Sequence, residues 1–278
     1  MSKLGRKAYY WLRALTKRMP APSGEVAVDV VIPVVAKDLK ILPLSLQALR
    51  RNVNHNIGGI YIVANGEDGI VPEFCRENGV TFVEERSVLG YGPKDIHLLI
   101  GSEKRDRSGW LFQQLLKLSG VIGQSDYFIT IDADHILLRP HTFVTRDDKS
   151  VFYQSCEHHQ PYFDNMKRLL NRTPDCRLSY VSHKMVFNRD NLKSLREEIE
   201  RKNPGKTWDR AIIDSVDRNQ VSGFSEFELY GNFTDKSRKI LMPTLNHHLG
   251  YASLGTLDDM TSRYGLLYRS ITLPDYIS

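Results

Sequence analysis

Asp132 and Asp134 stand one residue apart in the stretch Tyr127-Phe-Ile-Thr-Ile-Asp-Ala-Asp-His-Ile-Leu-Leu-Arg-Pro140. The residues before them alternate aromatic and β-branched types, which suits a buried strand running out at the aspartates. Two carboxylates one residue apart at a strand end point the same way and can share a hard divalent cation, Mg2+ or Mn2+. The plainer alternative is a solvated or capping pair in a polar turn. Apolar residues on both sides, with Ile136-Leu137-Leu138 following, favour the metal reading. A cation here would bridge a diphosphate and neutralise charge on a departing phosphate. Two carboxylates seldom complete a shell, so a third ligand is expected. His247 or His248 is the candidate, because imidazole suits manganese; the alternative is a histidine pair decorating a surface loop.

Three further stretches carry candidate chemistry. In Phe224-Ser-Glu-Phe-Glu-Leu-Tyr230, Ser225 and Glu228 have capping-box spacing and predict a helix N-terminus at Ser225. Glu226 is then free to face a crevice as a base for an attacking hydroxyl, or simply complements the helix dipole. In Gly109-Trp-Leu-Phe-Gln-Gln-Leu-Leu-Lys-Leu118, Leu111, Leu115 and Leu118 form the core face of a helix capped by Ser108. Trp110, Gln113 and Gln114 are left over, the indole or a glutamine for a ligand, and Lys117 for a phosphate, unless the lysine is only solvated. His183 and Lys184 fall between two β-like pieces and are candidates for an acceptor-side wall together with Glu228, core packing being the alternative for His183. Arg105 and Arg107 are either a phosphate clamp on a lid or a solvated charge run.

The elements that must position these residues begin with a near-continuous apolar strand, Val26 to Val35, suited to the centre of a parallel sheet. Helix 39–52, strand 59–64, helix 70–78 and strand 80–83 follow, a doubly wound α/β pattern. Such sheets bind ligands beyond the carboxyl ends of their strands. Ala36-Lys37-Asp38, Asn65-Gly66 and the Glu84–Arg86 turn therefore share one crevice. Residues 87–109 read as a long loop, and no Gly-Lys-Ser/Thr marks it as a P-loop. A nucleotidyltransferase would carry a Gly-rich loop after the first strand, and Pro33-Val-Val-Ala-Lys37 lacks one. Further on, a strand is expected over 150–155, and helices over 191–202 and 208–216. With no linker after Gly24, one domain covers 25–278, a nucleotide-binding half at 25–140 and a mixed acceptor-side half at 141–278.

Residues 1–24 read as a basic amphipathic helix and linker. Lys3, Arg6, Lys7, Arg13, Lys17 and Arg18 occur with no acid before residue 20, and Leu4, Ala8, Trp11, Leu12, Leu15 and Met19 share a helical face. That face either docks on the domain or lies on an anionic membrane surface. Of the 278 residues 41% are apolar, enough for a sizeable core, and the formal net charge is +5. The charge suits phosphorylated ligands or anionic lipid; its clustering in one terminal helix argues against nucleic acid. No segment reaches the length of a membrane span, and the N-terminus lacks a signal-like apolar run. Cys75, Cys156 and Cys176 are odd in number and widely spaced, as expected of reduced thiols in a cytoplasmic protein.

Ile32-Pro33, Asn65-Gly66, Asp132-Ala-Asp134 and a late histidine together resemble nucleotide-sugar glycosyltransferases of the GT-A fold. Gly109–Lys117, Ser182-His-Lys-Met-Val-Phe187 and Ser225–Gly231 are similar to a bacterial family of uncharacterised glycosyltransferase-like proteins linked to surface polysaccharide synthesis. The resemblance covers roughly residues 28–250. It implies a GT-A-like fold with a Rossmann-type, mostly parallel central sheet, and transfer from a nucleoside diphosphate sugar, UDP favoured, to a saccharide; the basic N-terminal helix, outside the resemblance, suggests that the acceptor is lipid-linked. It implies that Asp134 is the main metal ligand, that Asp132 holds the metal or the ribose, and that the late histidine completes the site. Asn65 and the loop after Pro33 would lie near the base. The cysteines and the N-terminal helix together suggest a cytoplasmic location, free or peripheral on the inner membrane face. The alternatives are a nucleotidyltransferase for sugar phosphates and a non-catalytic nucleotide-sugar-binding subunit.

Overall fold

The computed structural model of the chain describes residues 2–274. Its first half runs α1 (Lys3–Thr16), β1 (Ala27–Pro33), α2 (Leu42–Asn52), β2 (Asn56–Ala64), α3 (Ile70–Asn78), β3 (Thr81–Glu84), α4 (Glu85–Leu89), β4 (Leu99–Ile100), β5 (Arg105–Asp106), α5 (Ser108–Ser119) and β6 (Tyr127–Ile131). Then follow β7 (His135–Leu137), β8 (Ser150–Gln154), α6 (Gln160–Leu170), β9 (Lys184–Asn188), α7 (Arg189–Lys202), α8 (Trp208–Ser215) and α9 (Glu226–Phe233). The described chain ends with β10 (Lys239–Pro243), β11 (Asn246–His248), α10 (Leu257–Tyr264) and β12 (Ser270–Thr272).

The central sheet has the order β3-β2-β1-β6-β9, parallel except for β9 against β6. This is the mixed α/β, mostly parallel arrangement the strand pattern predicts. β1 is buried at every position but Ala27, and β6 throughout, because helices cover both faces. On one face Val30 and Ile32 pack with Leu46, Leu49 and Val71 of α2 and α3; on the other Val31 and Phe128 pack with Leu115, Met166 and Leu192 of α5, α6 and α7. From β1 the chain goes to β2 on one side, and β6 joins on the other. That reversal opens a crevice at the carboxyl ends of β1 and β6.

One buried charge in β1 is accounted for locally. The Asp29 carboxylate accepts from the backbone N–H of Gln124 and Ser125 at 2.6 and 2.8 Å and lies 3.3 Å from Arg189 Nη2. Gly123 sits at φ +81°, and a Cβ there would come within 2.3 Å of Asp29 Oδ2, so only glycine allows the turn that leads into β6.

The second half is mixed. β8 and β10 pair in parallel; β12 lies between β11, parallel to it, and β7, antiparallel to it. His248 and His135 thus both register with Thr272; the late strand beside β7 is β12, which separates it from β11 and its histidines.

Several expectations differ from the structure. The supposed long loop over 87–109 contains the end of α4 and the β4–β5 hairpin. Ser108 lies inside α5, not at its cap, and its hydroxyl accepts from the Leu98 N–H at 2.8 Å. Of the two β-like pieces around residue 183, only β9 is a strand; the other contributes the bridge Ser155–Ser179. α1 packs on the body through Tyr10, not through the leucine stripe. The cysteines do agree with expectation: Cys75, Cys156 and Cys176 are free thiols.

Candidate active site

At the carboxyl ends of β1 and β6 lies a cavity of about 870 Å³. Its walls include Pro33, Lys37, Asn65, Trp110, Gln114, Lys117, Asp132, Asp134, His183 and Glu226, drawn from six separated stretches of the sequence. β1 delivers Pro33, β2 ends just before Asn65, β6 just before Asp132, α5 carries Trp110 to Lys117, and α9 begins at Glu226.

Lys117 is the joint of this arrangement. Its ammonium donates to Asp132 Oδ1 and to Glu226 Oε1, each at 2.8 Å, with the residue only 7% exposed. Burial alone would lower its pKa, but the two carboxylates outweigh burial and raise it above the ordinary lysine value. Lys117 is therefore a locked, charged bridge, not a phosphate arm reaching into solvent. Gln114 supports it by accepting from the Glu226 N–H through Oε1 at 3.2 Å. Arg107 stacks over Trp110 at 4.5 Å, holding the indole at the wall.

The two aspartates differ sharply. Asp132 is gripped on both oxygens, by Lys117 and by His183 Nδ1 at 3.0 Å from Oδ2. Burial would raise its pKa, yet Lys117 and then His183 hold it well below the usual carboxylate range. His183 has φ +62°, a strained conformation for a residue with a side chain, and its carbonyl accepts the Asp132 N–H at 3.0 Å. Asp134 has no ion-pair partner among the described residues, and burial followed by the Asp132 charge pushes its carboxyl up to about 6.

Among the described residues no three His, Cys, Asp or Glu side chains converge as a closed metal cage. Magnesium-type sites, however, are commonly completed by one or two carboxylates with substrate phosphates and water. Asp134, uncompensated beside Asp132 at the cavity wall, fits that open type of donor set.

Four expected site residues are not among those lining the cavity. The His247 ring stacks on Tyr268, with centroids 4.6 Å apart. His248 is exposed and lies edge-on to His183 at 5.9 Å. Lys184 is buried beneath the wall, its Nζ 3.1 Å from His135 Nε2, and burial lowers its pKa to about 7. Glu228 accepts from the Ser179 hydroxyl at 2.6 Å, the Tyr180 N–H at 3.1 Å and the Asn232 amide at 3.1 Å. Ser225 does cap α9 by accepting from the Glu228 N–H at 3.3 Å, but the Glu228 side chain is engaged by these distant donors instead of closing the box. Burial raises its pKa to about 7 despite them.

Tyr162 and Phe224 are wall residues that the sequence pattern did not single out. Tyr162 rides on α6, whose signal was present: Pro161 in the first turn, then Phe163, Met166, Leu169 and Leu170 at helical spacing.

No curated protein matches the chain in sequence. Among solved structures, the apo form of mouse xyloside xylosyltransferase 1 aligns with a TM-score of 0.51 at 11% identity, over 91% of this chain and 99% of that one. Glucosyl-3-phosphoglycerate synthase from Mycobacterium tuberculosis, in complex with Mn2+, UDP and phosphoglyceric acid, aligns with a TM-score of 0.38 at 15% identity, over 61% of this chain and 58% of that one. The first of these likenesses establishes a GT-A-like fold. Residues 26–251 match the profile of DUF6492, a family of unknown function, and the chain belongs to that family.

Proposed function

We propose that the chain is a glycosyltransferase that moves a sugar from a nucleoside diphosphate donor, UDP favoured, to a saccharide acceptor. The observation carrying this reading is the meeting of Asp132 and Asp134 with Lys117 and Glu226 at one cavity in the sheet crevice. Asn65 and the loop after Pro33 bind the nucleotide base, and Trp110 supplies a flat apolar wall. A bound Mn2+ or Mg2+, held by Asp132 and Asp134, would neutralise charge on the departing diphosphate. Lys117 keeps Asp132 ionised and, bonded to both carboxylates, fixes the separation of Asp132 and Glu226. Because Lys117 engages Oε1 of Glu226, Oε2 is left for the acceptor. In an inverting displacement Glu226 takes the acceptor hydroxyl proton while that oxygen bonds to the anomeric carbon and the diphosphate oxygen leaves with its electron pair. On this reading the acceptor is lipid-linked, the setting is bacterial surface polysaccharide synthesis, and the enzyme works at the inner membrane face.

Calorimetric titration of UDP with and without manganese tests the proposal: metal-dependent binding is expected, and its absence would overturn it. A donor-hydrolysis screen across nucleotide sugars then identifies the sugar. Near-normal turnover of Glu226→Gln would remove the inverting assignment while leaving the transferase one.

A further inference from the structure

The helix α1 is two-faced in an unusual sense, because its docked side is not its most apolar side. Tyr10 is the buried anchor, packed with Leu178 and Leu245, and its hydroxyl donates to the Thr244 carbonyl at 2.5 Å. Lys17 Nζ donates to the Leu241 carbonyl and pins the helix's far end to β10. This fixes the rotation of α1 and turns the leucine stripe outward. Leu4, Leu12 and Leu15 are 79%, 63% and 61% exposed, and Trp11 is 40% exposed. Ala8, also exposed, lies between them at helical spacing, so the stripe is continuous over the length of α1.

Four large apolar side chains on one outward helix face are an expensive way to meet water, so they imply an occupant. Charge identifies it. Lys3, Lys7, Arg13 and Arg18 are all exposed, and the segment up to residue 20 contains no acid. Lys7 lies three residues from Leu4 and four from Trp11, so cationic and apolar groups share one surface. A tryptophan and leucines flanked by lysines and arginines match the interface of an anionic bilayer, where the stripe enters the acyl boundary and the cations meet headgroups. A second copy of the chain would bring identical cations together and is disfavoured by the same charges.

We propose that the outward face of α1 docks this protein on an anionic membrane surface. The contact is peripheral, since no described helix is long and apolar enough to cross a bilayer. The proposal does not depend on the chemistry assigned to the cavity.

The test is sedimentation of the full chain with phosphatidylcholine vesicles, with and without about a third phosphatidylserine. Binding is expected to rise at least roughly tenfold with the anionic lipid and to weaken with salt. Leu12→Asp/Leu15→Asp should abolish it, and Lys3→Glu/Lys7→Glu should reduce it to the level of neutral vesicles. Both pairs are exposed, so unchanged melting temperatures are expected and will show that the fold is intact. Equal binding by wild type and the leucine variant would overturn the proposal. So would a stable dimer in solution that the leucine variant dissolves, because the stripe would then be a protein interface. Neither readout uses UDP or turnover, so failure here is distinct from failure of the transferase reading.

Discussion

Replacing Lys117 by methionine removes one cation from between two carboxylates while nearly preserving side-chain volume. The consequence follows from exposure. The Lys117 and Glu226 side chains are 8% and 5% exposed, whereas Asp132 retains 32%. Asp132 can recover hydration and keeps His183 at 3.0 Å, so the loss concentrates on Glu226. Breaking a buried pair by removing one partner costs roughly 3–5 kcal/mol, because the remaining charge is left unpaired. For a chain of 278 residues, an unfolding entropy of about 2.1 cal/mol/K per residue converts that loss to a melting shift of about 5–9 °C at pH 8.

The pH dependence separates this cause from a mere packing defect. In the wild type Asp132 has a depressed folded pKa; its stabilisation is present above the unfolded value near 3.9 and is lost as pH falls through the folded one. In Lys117→Met the freed carboxylates titrate upward, so the variant gains stability on acidification where the wild type does not. The melting difference should therefore shrink between pH 8 and pH 5. Glu226→Gln in the Lys117→Met background should recover about 1–3 kcal/mol relative to additivity. Differential scanning fluorimetry at the two pH values, with the four-member mutant cycle, measures both quantities. A melting loss that is the same at both pH values, or strict additivity in the cycle, would refute the bridge as the source of the stability.

Asp134→Asn should reduce manganese-dependent UDP affinity at least roughly tenfold in calorimetry while the melting temperature holds or rises slightly, because the carboxylate lost is half-buried and without an ion-pair partner among the described residues. Glu228→Gln should leave UDP binding unchanged, since Glu228 does not line the cavity, and should alter the pH profile of stability. With its folded pKa raised to about 7, wild-type Glu228 holds a proton that the unfolded chain releases above about 4.3, so stability falls as pH rises through that window by up to about 4 kcal/mol; urea titrations of the variant should lose that slope. Lys184→Met should stabilise the protein by about 1–4 kcal/mol at pH 7, because a buried lysine with its pKa lowered to about 7 costs most where it is charged. Wild-type stability should then climb between pH 7 and about 10, as the unfolded chain binds the extra proton, and the variant should not show that climb.

Which features were legible depends on the sequence distance of the partners involved. β1, α2, β2, α3 and β3 are written in local patterns, apolar runs broken by turn residues, and the sheet order follows from right-handed crossovers. Asp132 and Asp134 were legible for the same reason, since a strand end is a local event. The bridging role of Lys117 was not: its partners lie 15 and 109 residues away, and helical spacing alone offers only a phosphate ligand or a solvated side chain. Glu228 shows the opposite failure. The Ser225 capping signal is real, but α9 begins in the core, where the carboxylate meets Ser179 and Tyr180 from a segment nearly 50 residues upstream. Local rules describe what a side chain does when water is its alternative partner; once burial removes water, donors from distant segments decide. In α1 both outcomes coexist. The leucine stripe was legible as a face, yet the single buried tyrosine and its bond to Thr244 determine which way that face points. Helical periodicity identifies the most apolar side of a helix, and a folded body is free to claim another side when a surface elsewhere can take the first.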